Sequence, residues 1–250
     1  MELQGRVAIV TGATSGIGEA IARRFIEEGA SVALVGHGDE QGRKVEAALR
    51  QAGKGQCAYV HADVSDSAQV RAAVAHVAAM WQRVDVLVNN AAVMKGVRLV
   101  DMDEADWDRT LAVNLKGPFL FCKHALPLMP RGGAIVNISS VHAVATDVET
   151  AAYSASKGGL EALTRALALE CYRTHIRVNA LRVGAVDTGM LWNNPRIVSG
   201  KEKVDPRDVG KPSEIAEAAL FLASPRARFI SGTVLTIDGG RLPILGSHAR

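Results

Sequence analysis

The sequence VAIVTGATSGIGEAIARRFIEE, residues 7–28, passes from an apolar run through three glycines into an amphipathic run. The run Val7–Val10 has the composition of a buried strand, and Gly16–Glu28 repeats apolar residues at helical spacing before Gly29, a plausible helix stop. Glycines at such a junction permit a tight turn and let backbone amides approach a pyrophosphate at the helix start. We predict a phosphate-binding strand–turn–helix unit, with a glycine-rich turn that binds no ligand as the alternative. The predicted contacts are Gly12, Thr14, Ser15, Gly16, Ile17 and Gly18.

Short apolar runs and longer amphipathic runs alternate along the rest of the chain, as in repeated strand–helix units around a parallel sheet buried on both faces. The predicted strands are Val7–Val10, Val32–Val35, Cys57–Val60, Val84–Val88, Ala134–Ile138, Arg177–Ala180 and Val234–Ile237. The predicted helices are Gly16–Glu28, Gln41–Gln51, Ser67–Gln82, Glu104–Met129, Ala152–Tyr172 and Ser213–Ala223. A length of 250 residues fits a single α/β domain over residues 1–250.

The composition argues against several classes of function. A net charge of +3 without a dense Lys/Arg run does not indicate a nucleic-acid partner. The amino terminus has no signal-peptide pattern and the apolar runs are too short to span a bilayer, so we expect a cytoplasmic protein without membrane contact. Three widely spaced cysteines and seven scattered histidines indicate reduced, buried thiols and no metal site.

A second group of residues indicates the reaction. Tyr153 and Lys157 are four residues apart, so on a helix they share one face and the ammonium lies beside the phenol. A free phenol titrates near ~10, and a neighbouring cation lowers that pKa by favouring the phenolate. Ser140 follows the strand Ala134–Ile138 at the sheet edge where such folds bind ligands, whereas Ser139 points the other way. The set predicts proton exchange with an alcohol or carbonyl oxygen.

Asn114 lies in the predicted helix Glu104–Met129, where its side-chain amide competes with backbone hydrogen bonding. Pro118 has no N–H for the carbonyl four residues earlier, so the main-chain oxygen of Asn114 lacks its usual partner. We expect that oxygen to hold a water linked to Lys157, in a proton relay that ends at Tyr153. An ordinary proline kink is the alternative.

These residues, with Asn89-Asn90-Ala91-Ala92 and Asp238-Gly239-Gly240, resemble the motifs of the short-chain dehydrogenase/reductase family over nearly the whole chain. The resemblance implies a Rossmann-like, doubly wound, seven-stranded parallel sheet with helices on both faces, and a homotetramer. It also implies hydride transfer between a nicotinamide cofactor and a secondary alcohol or ketone. Ser140 precedes Tyr153 by thirteen residues, the spacing usual in the family. The catalytic residues so implied are Asn114, Ser140, Tyr153 and Lys157.

By the same resemblance, cofactor contacts come from the ends of several strands. They are Asp63 and Val64 after the third strand, Asn90 and Ala91 after the fourth, Tyr153 and Lys157, and Gly184, Val186 and Thr188 after the sixth. Asn90 has the alternative of a loop-stabilising amide, and Asp63 that of a carboxylate leading a helix. Arg182-Val183-Gly184 stands where the family has a Pro-Gly pair, which leaves the course of that loop open.

The end of the second strand selects the cofactor, because an acidic residue there bonds the ribose diol of NAD(H) and a basic one accepts the 2′-phosphate of NADP(H). The sequence Gly36-His37-Gly38-Asp39 has no carboxylate at Gly36, the usual NAD position, and has His37 where NADP-dependent relatives often carry arginine. Asp39 is expected to cap the following helix. With Arg43 and Lys44 nearby, the sequence favours NADP(H), and NAD(H) is the alternative.

The segment from about Gly184 to Val209 has no clear periodicity, and long irregular segments in compact domains are often lids or binding loops. We predict that it encloses the substrate, with a surface excursion without a role as the alternative. The predicted substrate contacts are Met94, His142, Met190 and Trp192, and packing is the alternative for Met94 and His142. The tail Leu242–Arg250 is expected to pack across an interface or to fray.

Three functions compete on this evidence. The first is a dehydrogenase for a small-molecule polyol, sugar or cyclic alcohol. The second is a reductase of 3-oxoacyl thioesters, suggested by its frequency in the family and by Arg131 and Arg173, which would attract an acidic carrier protein. The third is a regulator that binds the cofactor without catalysis, which the intact catalytic set disfavours.

Overall fold

A seven-stranded parallel sheet forms the centre of the computed structural model, which describes residues 1–51 and 53–242. Its strands are β1 (Val7–Thr11), β2 (Ser31–Gly36), β3 (Gln56–His61), β4 (Val86–Asn89), β5 (Ala134–Ser140), β6 (Arg177–Val183) and β7 (Val234–Ile237). The order across the sheet is β3-β2-β1-β4-β5-β6-β7, with all pairs parallel. This confirms the predicted Rossmann-like arrangement, whose strand order reverses at β1 and β4 and opens a ligand crevice there.

Helices cover both faces of the sheet. They are α1 (Gly16–Glu27), α2 (Asp39–Leu49), α3 (Ser67–Trp81), α4 (Glu104–Leu111), α5 (Gly117–Ala125), α6 (Ala151–Glu170), α7 (Gly189–Trp192), α8 (Pro195–Val198) and α9 (Pro212–Ala223). Alternate residues of β1 enter opposite cores: Ala8 and Val10 pack with α1 and α9, and Val7 and Ile9 pack with α3 and α5. Because both faces are buried, the strands appear in the sequence as continuous apolar runs rather than alternating ones.

The predicted helix Glu104–Met129 is interrupted. A π-helical turn, Ala112–Lys116, separates α4 from α5, and the Gly117 amide donates to the Ala112 carbonyl five residues earlier. Pro118 directly follows this wider turn, and α5 ends before Pro127, which lies in a short 3₁₀ turn. A proline inside a helix removes a hydrogen bond and clashes with the preceding turn, so the local sequence favours both interruptions.

The segment predicted to be irregular, residues 184–209, contains α7, α8 and a 3₁₀ turn at Pro206–Asp208. Its lack of periodicity reflects helices of a single turn, too short to show one. The start of α8 is fixed locally, because the Asn194 side chain accepts from the Arg196 amide and Pro195 occupies the first helical position. The prediction for the tail concerns residues 243–250, which lie outside the described residues.

Three simpler expectations can be compared with the structure. Gly29 ends α1 with φ of +85°, as predicted. Cys57, Cys122 and Cys171 are buried free thiols, also as predicted. Within residues 1–51 and 53–242, no helix is long and apolar enough to cross a bilayer, and no three metal-binding side chains cluster together.

Candidate active site

A cavity of about 770 Å³ runs along the carboxyl edge of the sheet, from the glycine turn after β1 to Tyr153 at the start of α6. Its volume lies in the ~300–1,000 Å³ range of small-molecule sites. All of the site residues predicted from the sequence line this cavity except Gly18, Asn114 and Trp192. The fold therefore brings the predicted phosphate end and the predicted chemical end into one continuous site.

The glycine turn is shaped for close approach of its backbone to neighbouring groups. Gly12 has φ of +62°, and a Cβ there would lie 2.9 Å from the Ala91 Cα and from the Asn90 Nδ2. A Cβ on Gly18 would lie only 2.1 Å from the Gly12 carbonyl oxygen. Gly18 does not line the cavity, and its lack of a Cβ allows α1 to pack against the turn, so its cofactor contact stays a prediction.

Asn90 supports this turn through both its backbone and its side chain. Its Nδ2 donates to the carbonyl oxygens of Thr11 at 2.9 Å and Gly12 at 3.2 Å. The Thr11 hydroxyl accepts from the backbone amides of Asn90 at 2.9 Å and Ala91 at 3.1 Å. These hydrogen bonds show that Asn90 stabilises the loop, which was the alternative to its role as a cofactor contact. Asn90 also lines the cavity.

Asp63 lines the cavity with its carboxylate already engaged. It accepts from the Ser65 amide at 2.9 Å, from the Ser65 hydroxyl at 2.8 Å and from Arg109 at 2.9 Å. Burial raises the pKa of Asp63, but these hydrogen bonds outweigh it and lower the pKa overall. The alternative of a helix-leading carboxylate is wrong, because Asp66 caps α3 by accepting from two backbone amides.

The residue that ends β2 is Gly36, so no acidic side chain stands at that position. A Cβ on Gly36 would lie 2.8 Å from the Thr14 Cγ2, while the neighbouring His37 lines the cavity. The prediction that Asp39 caps α2 is wrong, since Gly38 holds that position and Asp39 is the first helical residue. The Asp39 carboxylate instead accepts from the Tyr59 hydroxyl at 3.2 Å and lies 2.8 Å from the His61 Nδ1.

The adjacent basic residues are turned outward. Arg43 is exposed, and Lys44 pairs with Glu40 at 2.7 Å on the surface of α2. Arg43 and Lys44 are therefore weaker evidence for binding of a 2′-phosphate than the sequence suggested. His37 is the basic residue of this stretch that lines the cavity.

The residues present fit a nicotinamide dinucleotide. A Cβ would fill the cradle at Gly12, and Ser15, Gly16 and Ile17 at the start of α1 line the cavity. The Ser15 side chain makes no capping hydrogen bond with the described residues of α1. The first amides of a twelve-residue helix are therefore available to an anionic pyrophosphate.

The chemical end of the cavity is a hydrogen-bonded group of buried side chains. The Ser140 hydroxyl is hydrogen-bonded to the Tyr153 hydroxyl and accepts from the His142 amide at 3.3 Å. Lys157 is 2% exposed, and its Nζ donates to the Ile138 carbonyl oxygen at 2.7 Å. The sequence predicted this grouping through helical spacing and strand position alone.

The electrostatics differ from the sequence-based expectation. Burial raises the pKa of Tyr153, and the hydrogen bond with Ser140 opposes this rise without cancelling it. The predicted net lowering of the Tyr153 pKa is not observed, because burial dominates and the Lys157 Nζ lies 5.6 Å from the Tyr153 ring centroid and bonds a carbonyl. Burial also lowers the pKa of Lys157 to about 8. Both groups are thus shifted towards their neutral forms.

His142 borders Tyr153 through its ring. The two ring centroids are 5.8 Å apart with planes at 77°, an edge-to-face packing. Burial lowers the pKa of His142, and its Nδ1 lies 3.2 Å from the Thr146 hydroxyl. Packing against Tyr153, the alternative named for His142, is therefore observed alongside its place in the cavity wall.

Asn114 is fully buried behind the cavity wall. Its Oδ1 accepts from the Val93 amide at 2.8 Å, and its Nδ2 donates to the Val93 carbonyl at 2.8 Å and to the Ser156 hydroxyl at 3.1 Å. Ser156 in turn donates to the Tyr153 carbonyl at 2.6 Å. The side chain of Asn114 thus connects the loop after β4 to the helix that carries Tyr153.

The predicted substrate segment presents Met190 but not Trp192 to the cavity. Trp192 is 39% exposed, does not line the cavity and donates from Nε1 to Asp187 at 2.7 Å, so the geometry does not support its predicted substrate contact. The sequence analysis missed Arg196, which lines the cavity. Arg196 lies 3.4–3.5 Å from the carboxylates of Asp147, Glu149 and Glu202. Two of these lie almost fifty residues away, which explains why the pattern was invisible in the sequence.

The proposed attraction of a carrier protein by Arg131 and Arg173 does not fit the geometry. Arg131 lies just before β5 begins, and Arg173 lies just after α6 ends. Both therefore sit at the amino edge of the sheet, whereas the cavity opens at the carboxyl edge. A carrier held by this pair would not reach the cavity of the same protomer.

The chain is similar to known oxidoreductases over almost its whole length. Residues 12–241 match the family model described as enoyl-(acyl carrier protein) reductase. The chain is 40% identical to a D-threitol dehydrogenase of Mycolicibacterium smegmatis, over 95% of this chain and 93% of that protein. It is 37% identical to a 3-oxoacyl-[acyl-carrier-protein] reductase of Thermotoga maritima, over 96% and 99% of the two chains. A short-chain dehydrogenase of Burkholderia cenocepacia, solved in complex with NADP, superposes with a TM-score of 0.89 at 33% identity, over 96% and 98% of the two chains.

The chain therefore belongs to the short-chain dehydrogenase/reductase family. It is an oxidoreductase that transfers hydride between a nicotinamide cofactor and a secondary alcohol or ketone.

Proposed function

We propose that the protein interconverts a small, polar secondary alcohol and its ketone with NADP(H), and that Tyr153 exchanges the proton. The observation that carries this proposal is the grouping of Ser140, Tyr153 and Lys157 in the cavity that begins at the glycine turn. When bound, the nicotinamide supplies or accepts the hydride at the substrate carbon.

The roles of the side chains follow from their contacts. Ser140 and Tyr153 share a hydrogen bond, so both hydroxyls can reach the same substrate oxygen. In reduction, Tyr153 donates its proton to the carbonyl oxygen while Ser140 donates a hydrogen bond to it. The Lys157 ammonium then stabilises the phenolate left on Tyr153. Asn114 is a positioning residue that braces α6, and the water that its main-chain oxygen would hold remains a prediction.

The preference for NADP(H) rests on the end of β2. Gly36 supplies no carboxylate there, and His37 lines the cavity. The related structure of Burkholderia cenocepacia was solved with NADP. Titration followed by nucleotide fluorescence should give a dissociation constant for NADPH at least about tenfold below that for NADH. His37→Ala should narrow the difference, and equal binding of both nucleotides by the wild type would assign NAD(H) an equal role.

The substrate class is argued from the polar wall beyond Tyr153. Thr146, Asp147, Thr150 and Asn194 line that end of the cavity and offer hydroxyl, carboxylate and amide groups to a hydroxylated substrate. The identity to a D-threitol dehydrogenase supports this class. A 3-oxoacyl thioester is the second candidate, supported by the identity to the Thermotoga maritima reductase.

A panel assay separates these candidates. Oxidation of NADPH and NADH should be measured with keto-sugars and hydroxyketones, cyclic ketones and an acetoacetyl thioester. The proposal expects the highest kcat/KM for a hydroxylated ketone, and a dominant rate with the thioester would replace it by the second candidate. Silence with all of them, despite nucleotide binding, would favour the regulator.

We further propose that the protein acts in the cytoplasm as a homotetramer. Large apolar side chains on its surface, among them Leu169, Tyr172 and Phe229, support burial between subunits. Light scattering coupled to gel filtration should give about four times the 26.4 kDa chain mass. A monomer mass would contradict the assembly without affecting the catalytic proposal.

A further inference from the structure

A row of polar side chains crosses three strands directly beneath the active site. Ser139 of β5 is the register partner of Arg182 of β6, which is in turn the partner of Thr236 of β7. Side chains in register on adjacent strands share a face, and this face is covered by α6.

Glu161 of α6 closes this row from above. Its carboxylate accepts from the Ser139 hydroxyl at 2.9 Å, and from the Arg182 Nε at 2.9 Å and Nη2 at 2.7 Å. Arg182 also reaches the Thr236 hydroxyl at 3.4 Å. The two-pronged contact with a carboxylate that is 5% exposed fixes both orientation and distance.

The pair lies one helical turn from the proposed proton-transfer residues. Glu161 follows Lys157 by four residues and Tyr153 by eight, so all three share a face of α6. The same helix is joined to β5 twice in succession, by Lys157 to the Ile138 carbonyl and by Glu161 to Ser139. Ser140 is the next residue of that strand.

We propose that Glu161 and Arg182 form a positioning pair that sets Tyr153 and Lys157 against Ser140 and against the loop that follows β6. This inference rests on the proposed function of the site. Arg182 stands just before Val183-Gly184, where β6 ends and residues 184–188 continue into the cavity wall. Its ion pair with Glu161 therefore connects α6 to the start of this loop. A change at the pair therefore reaches both the helix and the cavity wall.

The charges of the pair make the inference testable, because removing one partner or the other should shift the pKa values of Lys157 and Tyr153 in opposite directions. Removing one partner of a buried ion pair leaves the other charge uncompensated, whereas replacing both is close to neutral. A lone Glu161 carboxylate favours the ammonium form of Lys157 and the neutral phenol of Tyr153, so it raises both pKa values. A lone Arg182 guanidinium lowers both. A loss of packing alone has no reason to produce shifts of opposite sign.

Other charged groups lie around α6 and stay constant in such a comparison. His142 faces Tyr153 from the turn after β5. The charged side chains of the neighbouring segment 104–116 are exposed or partly exposed: Glu104, Asp106, Asp108, Arg109 and Lys116.

The test uses the full chain with Glu161→Gln, Arg182→Met and the double variant, and Arg50→Met as a control that breaks the exposed pair with Glu46. Turnover with the best ketone of the panel should be measured from pH 5.5 to 10, and NADPH binding by fluorescence. We expect each single variant to lower kcat about 10- to 100-fold, because Tyr153 and Lys157 would be slightly misplaced relative to the substrate. The affinity for NADPH should change less than about threefold. The midpoint of the kcat profile should rise in Arg182→Met and fall in Glu161→Gln.

The double variant lacks the positioning contacts but leaves no uncompensated charge, so it should lower kcat about as much as the single variants while its midpoint stays near that of the wild type, and Arg50→Met should match the wild type. Single variants that keep wild-type kcat, midpoints that move in the same direction, or a double variant worse than both singles would each overturn the positioning role. If a single variant does not fold, the double variant decides, because a kcat at the wild-type level would overturn the positioning role. A wild type that binds NADPH but reduces no ketone would overturn the proposed function and the inference with it.

Discussion

Replacing Lys157 with methionine is expected to stabilise the protein while abolishing turnover. Burial lowers the pKa of Lys157 from 10.5 to about 8, so the folded state holds an ammonium that it would release more readily than the unfolded chain. At about 1.4 kcal/mol per pKa unit, this costs the folded state about 3 kcal/mol at neutral pH. Loss of the hydrogen bond to the Ile138 carbonyl destabilises the variant by about 1 kcal/mol. We therefore expect the free energy of unfolding to rise by about 2 kcal/mol in total.

The sign of the pH dependence follows from the lowered pKa. Between about pH 8 and 10.5 the folded protein binds fewer protons at Lys157 than the unfolded chain does, so the penalty is complete below pH 8 and is relieved as pH rises. The stability advantage of Lys157→Met should therefore shrink by about 2 kcal/mol between pH 6.5 and 9.5.

Urea unfolding of the wild type and Lys157→Met at several pH values measures this difference. Lys44→Met, which removes an exposed ammonium paired with Glu40, serves as the control and should show little change. A Lys157→Met advantage that is absent, or that grows with pH, would refute the reasoning that burial dominates at this lysine.

Two further substitutions test the turn and a helix cap. Gly18→Ala places a Cβ 2.1 Å from the Gly12 carbonyl oxygen and should cost about 3 kcal/mol, seen as a Tm lower by about 6–12 °C. Gly96→Ala, where a Cβ meets nothing within 4 Å, should leave Tm within a few degrees; equal effects of the two would contradict the packing role. Asp66→Ala removes the cap of α3 and should cost about 1 kcal/mol in urea unfolding with kcat unchanged, and an unchanged unfolding midpoint would show that the cap contributes nothing.

The sequence predicted features that depend on neighbours along the chain. The strand, glycine turn and helix of residues 7–28 form a local pattern, and the four-residue spacing of Tyr153 and Lys157 is a property of any helix. The carboxyl edge follows from the parallel topology, which is why Ser140 could be placed beside them.

Differences from the sequence-based expectations arose where a side chain bonds a partner that the sequence pattern does not identify. Asp39 bonds Tyr59 and His61 of β3 instead of capping its own helix. Trp192 turns to Asp187 and away from the cavity, a choice that the sequence pattern did not indicate.

Burial explains the remaining differences. Its effect on Tyr153 and Lys157 depends on how completely the surrounding chain excludes water, which residue spacing does not report. The pairing of Glu161 with Arg182 depends likewise on the register of β5 and β6.

Transfer of deuterium tests the central claim most directly. NADPH carrying two deuterium atoms at nicotinamide C4 should be incubated with the preferred ketone and either the wild type or Tyr153→Phe, and the alcohol product analysed by mass spectrometry. The account predicts one deuterium at the carbinol carbon with the wild type, and with Tyr153→Phe unchanged NADPH binding but product formed at least about 100-fold more slowly. Wild-type turnover without deuterium in the product, or Tyr153→Phe that turns over like the wild type, would contradict it.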